Sequence, residues 1–233
     1  MKIVILAGGE GKRLRPYTYV LPKPLLPIGD KPILDITLEK LKTQGIKDII
    51  LAVNYKAGLF DIIYGDGSSR GMNISYLRES QPLGTAGPLR SLKDKIFDDF
   101  FVMNGDIICD LNLEDLKKTH REAEADITVV TRKIETPINF GVLQIENEKI
   151  VGWDEKPKIK SEISAGMYML KPSVLDLIPK NEFYDMNDLV KRIILNGGKV
   201  LRFLYGGDLL DVGNREDYRK AQNNFEEKKD LKI

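Results

Sequence analysis

Residues 2–32 of the chain read KIVILAGGEGKRLRPYTYVLPKPLLPIGDKP. The stretch begins with a short apolar run, residues 2–6, which predicts a buried strand that ends at a pair of glycines. Gly8, Gly9 and Gly11 can adopt positive φ and let a ligand approach the backbone closely, so that successive N–H groups can point at one anion. A strand followed directly by such a loop is typical of α/β folds.

The same loop is rich in cations. Between residues 8 and 25 it holds four basic residues and one acid, namely Lys12, Arg13, Arg15, Lys23 and Glu10. Pro22 and Pro24 flank Lys23 and restrict the backbone on both sides, which fixes where its ammonium group is presented. Glycine amides, a guanidinium and an ammonium at a fixed place together suit a triphosphate.

Two common phosphate-binding motifs do not fit this loop. The Walker motif, G-x-x-x-x-G-K-[ST], fails because Leu6 stands where the first glycine is needed and Arg13 follows Lys12. The dinucleotide fingerprint, G-x-G-x-x-G, fails because Leu14 stands at the third glycine. The remaining simple alternative, a glycine turn with a solvated basic run, is disfavoured by the number of constraints in the stretch.

Composition limits the chemistry. The chain has 233 residues, with 36 Lys+Arg against 35 Asp+Glu and a net charge of +1, so we expect no nucleic-acid or membrane partner. With one cysteine, Cys109, and one histidine, His120, neither an intrachain disulfide nor a zinc site built on several cysteines or histidines can form. The N-terminal apolar run is too short for a signal peptide, and we expect a cytoplasmic protein. Its chemistry must come from Asp, Glu, Lys, Arg and backbone groups.

Apolar runs alternate with amphipathic stretches over the first 135 residues, which predicts βαβ units around a mainly parallel sheet. The predicted strands lie near 49–53, 73–77, 100–103 and 127–131, and the predicted helices at 33–44, 57–64 and 113–124. After about residue 135 the predicted elements are short antiparallel strands near 142–145, 149–153 and 165–170, a helix at 186–196 capped by Asp185, a strand at 199–204 and a helix at 215–228. We expect His120, within a polar helix, at the surface, and residues 226–233 to fray.

Two aspartates follow apolar runs at widely separated places in the chain. Asp106 comes soon after the run 100–103, and Asp211 follows two leucines. Ligands of open α/β sheets bind at the carboxyl ends of strands, so we expect both carboxylates at that edge. Such a pair suits Mg²⁺, which also takes water and phosphate oxygens, with Mn²⁺ as the alternative. Each aspartate taken alone is also typical of a helix cap or a turn.

The opening stretch closely resembles the N-terminal signature of sugar-1-phosphate nucleotidylyltransferases, the nucleotide-sugar pyrophosphorylases. Further pieces follow in the order found in that family: LGTAG at 83–87, NGD at 104–106, FG at 140–141, EKP at 155–157, SAGMY at 164–168 and LLDVG at 209–213. The nearest resemblance is to mannose-1-phosphate guanylyltransferases and to bacterial heptose- or hexosamine-1-phosphate guanylyltransferases. It implies a Rossmann-like, three-layer α/β/α fold with a mixed, mainly parallel sheet, as one domain over 1–233 without a C-terminal β-helix.

The resemblance also implies a reaction and its residues. A sugar-1-phosphate oxygen attacks the α-phosphorus of a nucleoside triphosphate and pyrophosphate leaves, with residues 1–135 serving mainly the nucleotide and 136–225 mainly the sugar phosphate. The implied catalytic residues are Arg13, Lys23 and Asp106, and the implied metal ligands are Asp106 and Asp211. The implied nucleotide-binding residues are Leu6, Ala7, Gly8, Gly9, Gly11, Lys12, Glu79, Pro82, Gly84 and Thr85. The implied sugar-phosphate-binding residues are Gly141, Glu155, Lys156 and Ser164.

The residue at position 79 bears on the choice of base. By position, Glu79 reads the Watson–Crick edge, and an ionised carboxylate only accepts hydrogen bonds. Guanine offers two adjacent donors, whereas thymine and uracil flank one N–H with two carbonyls, so we expect GTP. The alternatives are a uridylyl-, thymidylyl- or cytidylyltransferase, transfer to a phosphorylated alcohol such as phosphocholine, and a catalytically silent regulatory subunit that binds nucleotide sugar. A homodimer is also consistent with the sequence.

Overall fold

The computed structural model describes the backbone of residues 1–230 and the side chains of residues 1–225. Its helices are α1 (Ile33–Thr43), α2 (Ala57–Tyr64), α3 (Leu113–Glu122), α4 (Met186–Leu195) and α5 (Arg215–Asp230). Its strands are β1 (Ile3–Leu6), β2 (Pro27–Ile28), β3 (Lys31–Pro32), β4 (Asp48–Val53), β5 (Asn73–Arg78), β6 (Phe100–Asn104), β7 (Ile107–Cys109), β8 (Ile127–Pro137), β9 (Val142–Glu146), β10 (Lys149–Asp154), β11 (Lys158–Leu170), β12 (Val200–Leu204) and β13 (Leu209–Asp211). Among the described helices, none combines the length and apolar character needed to span a bilayer. The fraying expected at residues 226–233 lies outside the described side chains.

The main sheet of the described residues has seven strands in the order β12-β8-β11-β6-β1-β4-β5. β11 runs antiparallel to its neighbours β6 and β8, and the other neighbouring strands pair in parallel. The mixed, mainly parallel sheet predicted from the sequence is therefore confirmed. Its strands come from both halves of the chain, because β8, β11 and β12 extend the sheet that β1, β4, β5 and β6 begin.

Helical layers cover both faces of this sheet. Ile3 and Ile5 of β1 belong to one apolar cluster, in which they pack with α1, α2 and α3. Val4 belongs to a second cluster on the other face, with α4 and the 3-10 turn Gly87–Leu92. All three consecutive β1 residues are fully buried, and each such aliphatic side chain stabilises the fold by about 1.5–3 kcal/mol. The three-layer α/β/α arrangement predicted from the sequence is confirmed.

The loop after β1 has a conformation that requires glycine at one of its positions. Gly11 has a φ of 62°, and its carbonyl accepts hydrogen bonds from the Thr18 hydroxyl and the Leu14 N–H, both at 2.9 Å. A Cβ atom on Gly11 would lie 2.8 Å from Cγ2 of Thr18, whereas a Cβ on Gly9 would meet no heavy atom within 4 Å. Position 11 therefore requires glycine, both because its φ is left-handed and because a side chain would clash with Thr18. Neither reason applies to Gly9.

The C-terminal helix anchors the far side of the same loop. The Tyr218 hydroxyl and the Gln222 side-chain amide both donate to the Pro27 carbonyl, at 2.6 and 2.8 Å. Gln222 also accepts a hydrogen bond of 2.8 Å from the Gly29 N–H. Apolar residues of α5 and of the loop share one buried cluster, which includes the fully buried Leu14. Residues from the two ends of the described chain therefore hold the loop against the core.

β8 and β11 are much longer than predicted. The sequence predicted strands at 127–131 and 165–170 only, whereas both strands continue as a two-stranded antiparallel ribbon beyond the sheet. Charged side chains such as Lys133 and the paired Glu162 alternate along one face of this ribbon, so a search for apolar runs misses it. β9 and β10 form a separate hairpin between the two long strands.

His120 lies in the core, and the expectation that it is a surface residue is wrong. It is fully buried, on the face of α3 that also carries Leu113 and Leu116. Its Nδ1 lies 2.8 Å from the Thr128 hydroxyl oxygen, and within the described residues its Nε2 has no hydrogen-bond partner. The spacing of these three residues puts them on one side of a helix, and the polar composition of the rest of the helix conceals that side.

Burial of His120 makes stability depend on pH. Burial lowers the pKa of the imidazole below its ordinary value of 6.5, so the unfolded chain takes up a proton more readily than the folded one. We expect the free energy of unfolding to hold its full His120 contribution above that value and to fall as the pH drops through it toward the lower folded-state pKa. Urea unfolding between pH about 8 and about 5 measures the slope. His120→Gln does not titrate and should show a shallower slope; equal slopes in the two proteins would contradict this account.

The glycine loop gives a second prediction, on stability. Gly11→Ala should lower the free energy of unfolding by about 1–3 kcal/mol, because the new Cβ meets Thr18 and the left-handed φ is strained for alanine. Gly9→Ala, two residues away in the same loop, should leave the free energy of unfolding within about 0.5 kcal/mol or raise it slightly. Chemical denaturation of both variants compares them, and equal destabilisation by the two substitutions would rule out the conformational requirement at Gly11.

Candidate active site

An open cleft of about 800 Å³ lies at the carboxyl ends of β1, β4, β5 and β6. Parallel strands end at one edge of the sheet, and this edge is where ligands of open α/β sheets bind. The cleft is lined by every residue that the sequence analysis assigned to the nucleotide, the metal or catalysis. These are Leu6, Ala7, Gly8, Gly9, Gly11, Lys12, Arg13, Lys23, Glu79, Pro82, Gly84, Thr85, Asp106 and Asp211.

Lys23 and Asp106 form an ion pair in the floor of the cleft. Lys23 lies between two prolines and is the first residue of a 3-10 turn that also contains Pro24. Its ammonium group contacts the Asp106 carboxylate. Both side chains are largely shielded from solvent, at 14% and 21% exposure, so the charges attract each other more strongly than a surface pair would. The prolines therefore direct the ammonium to the acidic end of the cleft, where Asp106 follows β6.

Asp211 joins this pair from the opposite half of the chain. It ends β13, which is antiparallel to β7 and places Asp211 opposite Ile107. The adjacent Val212 N–H donates to the Asp106 carbonyl at 3.3 Å. Burial, and then the negative charge of Asp106, raises the pKa of the Asp211 carboxyl. The two aspartates that the sequence predicted at one edge are thus close enough to repel each other.

The two carboxylates fit a hard divalent cation. A cation bound between them would offset the repulsion that contributes to the raised pKa of Asp211. Over the described residues, no group of three or more His, Cys, Asp or Glu side chains is arranged to hold a metal ion. A cation here would therefore have two protein carboxylates and would complete its coordination with water and phosphate oxygens, as Mg²⁺ commonly does.

Glu79 lies at the other end of the cleft. Its Oε2 accepts a hydrogen bond of 3.0 Å from the Leu83 N–H, and its carbonyl accepts one of 3.2 Å from the Asn54 side chain. Burial raises the pKa of the Glu79 carboxyl, and the Leu83 hydrogen bond partly opposes this. A Cβ on Gly8 would come within 2.9 Å of Glu79 Oε1, so the carboxylate packs directly on the glycine loop. A half-buried acceptor thus faces the space beside that loop.

Asp185 has a role that the sequence did not predict. It occupies the N-cap position of α4 but makes no side-chain cap hydrogen bond there. Its carboxylate instead accepts from the N–H and the hydroxyl of Thr85, at 3.0 and 3.1 Å, and the Thr85 hydroxyl accepts from the Met186 N–H at 2.7 Å. Asp185 and Phe183 also line the cleft. A local helix-start signal cannot reveal a partner 100 residues away.

A second cavity of about 440 Å³ adjoins the cleft and shares Asn104 and Asp211 with it. Ser164, which the sequence assigned to the sugar phosphate, lines this cavity, and its hydroxyl lies 3.1 Å from that of Tyr168. The sequence analysis did not identify Tyr168 or Arg132, which also line it. Tyr168 ends the SAGMY piece at 164–168 but received no role of its own, and no motif marks Arg132. The place of both residues beside the cavity becomes clear only from the pairing of β8 with β11.

Gly141, Glu155 and Lys156 lie elsewhere in the described structure, around the β9–β10 hairpin, and are not among the residues that line either cavity. A Cβ on Gly141 would meet the Trp153 ring nitrogen at 2.6 Å, and that nitrogen donates to Glu155 at 3.0 Å. Lys156 follows in a left-handed conformation, with a φ of 49°. These three predicted sugar-phosphate residues therefore sit together, apart from Ser164.

Comparisons with known proteins bear on this site. The model of the Nucleotidyl transferase family matches residues 2–228. A mannose-1-phosphate guanyltransferase of Yarrowia lipolytica is 42% identical over 186 residues, covering 76% of this chain and 51% of that protein. Its counterpart in Schizosaccharomyces pombe is 37% identical over 227 residues, covering 94% and 62%. The chain thus spans between one half and two thirds of the length of these curated relatives.

A solved structure extends the comparison to the fold. The crystal structure of HddC from Yersinia pseudotuberculosis, complexed with GMP-PN, has a TM-score of 0.76 at 26% identity, covering 96% of this chain and 99% of that one. With the family model matching nearly the whole chain, this protein belongs to the nucleotidyl transferase family.

Proposed function

We propose that the protein is a sugar-1-phosphate nucleotidylyltransferase, which converts a nucleoside triphosphate and a sugar 1-phosphate into a nucleotide sugar and pyrophosphate. The observation that carries this proposal is the junction of two cavities at Asn104 and Asp211. One cavity has a glycine and cation loop suited to a triphosphate, and the other has room for an acceptor. The names of the guanyltransferase relatives support the same reaction.

The chemistry proceeds by in-line displacement. A phosphate oxygen of the sugar 1-phosphate forms a bond to the α-phosphorus, the bond from that phosphorus to the bridging oxygen breaks, and pyrophosphate leaves with the electron pair. The amides around Gly11 and the Arg13 guanidinium hold the β- and γ-phosphates. The Lys23 ammonium neutralises negative charge that builds on the α-phosphate. No enzyme nucleophile is needed, since positioning and charge neutralisation supply the rate.

Asp106 and Asp211 would hold the divalent cation, with Mg²⁺ proposed and Mn²⁺ as the alternative. When bound, this cation supplies positive charge beside the phosphates that react. Lys23 already contacts Asp106, so its ammonium lies at the same end of the cleft as the proposed cation. Both positive charges would therefore act on one phosphate, which places the reacting centre between the triphosphate loop and the second cavity.

The proposed nucleotide is GTP, and the proposed acceptor is mannose 1-phosphate or a similar hexosamine or heptose 1-phosphate. Glu79 supports guanine because its half-buried carboxylate can accept from the two adjacent donors of that base. The relatives named as mannose-1-phosphate guanyltransferases support both choices. Retention of Arg13, Lys23 and both aspartates argues against a silent regulatory subunit, since such a subunit has no use for the full set.

A matrix of GTP, UTP, dTTP and CTP against several sugar 1-phosphates and phosphocholine tests the function. We expect pyrophosphate release in the presence of Mg²⁺ and its loss with EDTA, with GTP and a hexose 1-phosphate as the fastest pair. Lys23→Gln should lower turnover by roughly 10²-fold, because it removes charge stabilisation from the transition state. Lys31→Gln, which removes a surface cation paired with Glu39, serves as the matched control and should keep normal turnover. Absence of pyrophosphate from every combination would refute the enzyme and favour the regulatory subunit.

Glu79→Gln tests the base. We expect kcat/KM for GTP to fall by about 10- to 100-fold, because the amide replaces one acceptor with a donor that opposes the N–H groups of guanine. The same change should favour UTP and dTTP relative to GTP, since those bases present a carbonyl beside their N–H. Glu39→Gln is the matched surface control. Wild-type protein that uses UTP, dTTP or CTP tenfold faster than GTP would show that the assignment of guanine is wrong.

A further inference from the structure

The second cavity has an unusual distribution of charge. Among its lining residues in the described chain, Arg132 is the cation and Asp211 is the anion. Arg132 has no carboxylate within ion-pair distance in the described structure, and its Nη1 donates to the Leu209 carbonyl at 3.3 Å. A guanidinium has five N–H donors, so most of its hydrogen-bonding capacity is still available on the cavity side.

The ribbon of β8 and β11 fixes the direction of this side chain. Directly paired residues share a face of an antiparallel ribbon. Arg132 pairs with Ile163, and Ile134 lies on the same face two residues further along β8; all three line the cavity. The strand pairing therefore places the Arg132 side chain on the cavity side of the ribbon, beside the apolar residues Ile134 and Ile163.

Two lysines on the opposite face of the same ribbon and an arginine of the neighbouring strand have carboxylate partners. Lys158 and Lys160 both pair with Glu135, and Arg202 of the adjacent β12 pairs with Glu162. Arg132 is thus a half-buried guanidinium beside isoleucines, without the carboxylate that serves those cations. Partial burial of an uncompensated charge is unfavourable, and an anion that enters the cavity would supply the missing partner.

We propose that Arg132 binds the phosphate of the acceptor sugar 1-phosphate, an inference that rests on the proposed function and deepens it. A guanidinium matches the geometry of a phosphate monoester with two parallel N–H donors. Its contact with Leu209, two residues before Asp211, links it to the strand that carries the proposed metal ligand. Arg132 is a substrate-binding residue in this scheme. The family resemblance gave contact with the sugar phosphate to Lys156, which is not among the residues that line this cavity in the described structure.

Isothermal calorimetry of the full chain tests the assignment with three probes: mannose 1-phosphate, inorganic phosphate and free mannose. We expect Arg132→Gln to weaken binding of mannose 1-phosphate by at least about tenfold, because glutamine keeps a donor for the Leu209 carbonyl but carries no charge. Lys133→Gln, on the opposite face of the ribbon, is the matched control and should bind normally. Arg132→Lys should bind with intermediate affinity. Free mannose should bind equally to all variants, and their thermal unfolding should coincide.

Three results would overturn the proposal: unchanged binding of mannose 1-phosphate by Arg132→Gln, a loss only in Lys156→Gln, or no binding of any probe by the wild-type protein. Steady-state kinetics separate this proposal from the proposed function. Release of pyrophosphate by the wild type, with an unchanged KM for sugar 1-phosphate in Arg132→Gln, keeps the enzyme and rejects Arg132. Binding of mannose 1-phosphate that depends on Arg132, without pyrophosphate release from any substrate pair, rejects the enzyme and keeps the phosphate site.

Discussion

The position of β1 inside the sheet, between β6 and β4, is the constraint on which the site depends. Its residues are buried on both faces, and it pairs in parallel with β4 on one side and β6 on the other. The hydrogen-bonding pattern continues past the strand ends, since the Ala7 N–H donates to the Ala52 carbonyl at 2.8 Å and the Gly105 N–H donates to the Leu6 carbonyl at 2.9 Å. The chain segments that follow β1, β4 and β6 therefore leave the sheet side by side, and the cleft forms between them.

Charge at this edge is arranged before any ligand arrives. The prolines around Lys23 and the end of β6 bring an ammonium to Asp106, while β13 brings Asp211 beside it. The pKa of Asp211 is raised because its charged form is partly removed from water and lies near the negative charge of Asp106. Fixed charges of this kind need no reorganisation when phosphate charge develops, and this is how electrostatic preorganisation accelerates a reaction. Under the proposed function, the same arrangement supplies charge stabilisation without a histidine or a cysteine.

The residues that the sequence assigned to the nucleotide line one cleft, and the sequence signals that identified them are local. Glycines, flanking prolines and short apolar runs act within a few residues of the backbone that they shape. The features that it missed depend on partners far along the chain. Asp185 resembles a helix cap but binds Thr85, and His120 is drawn into the core by a helix face that packs against β8. Arg132 occupies a charged stretch that becomes a strand only through pairing with β11.

The two ends of the site also differ in how they are tied to stability. The glycine loop starts at β1, in which Ile3, Val4 and Ile5 are fully buried, and it is anchored again by α5, so most substitutions beneath it disturb the core. The second cavity is bounded on one side by a two-stranded ribbon, in which Ile163 is 39% exposed and Ile159 is 50% exposed. Substitutions on such a ribbon cost less folding free energy. The loop after β1 is thus coupled to folding more tightly than the ribbon face of the second cavity, so the proposed acceptor site can change on that face at a lower cost in stability.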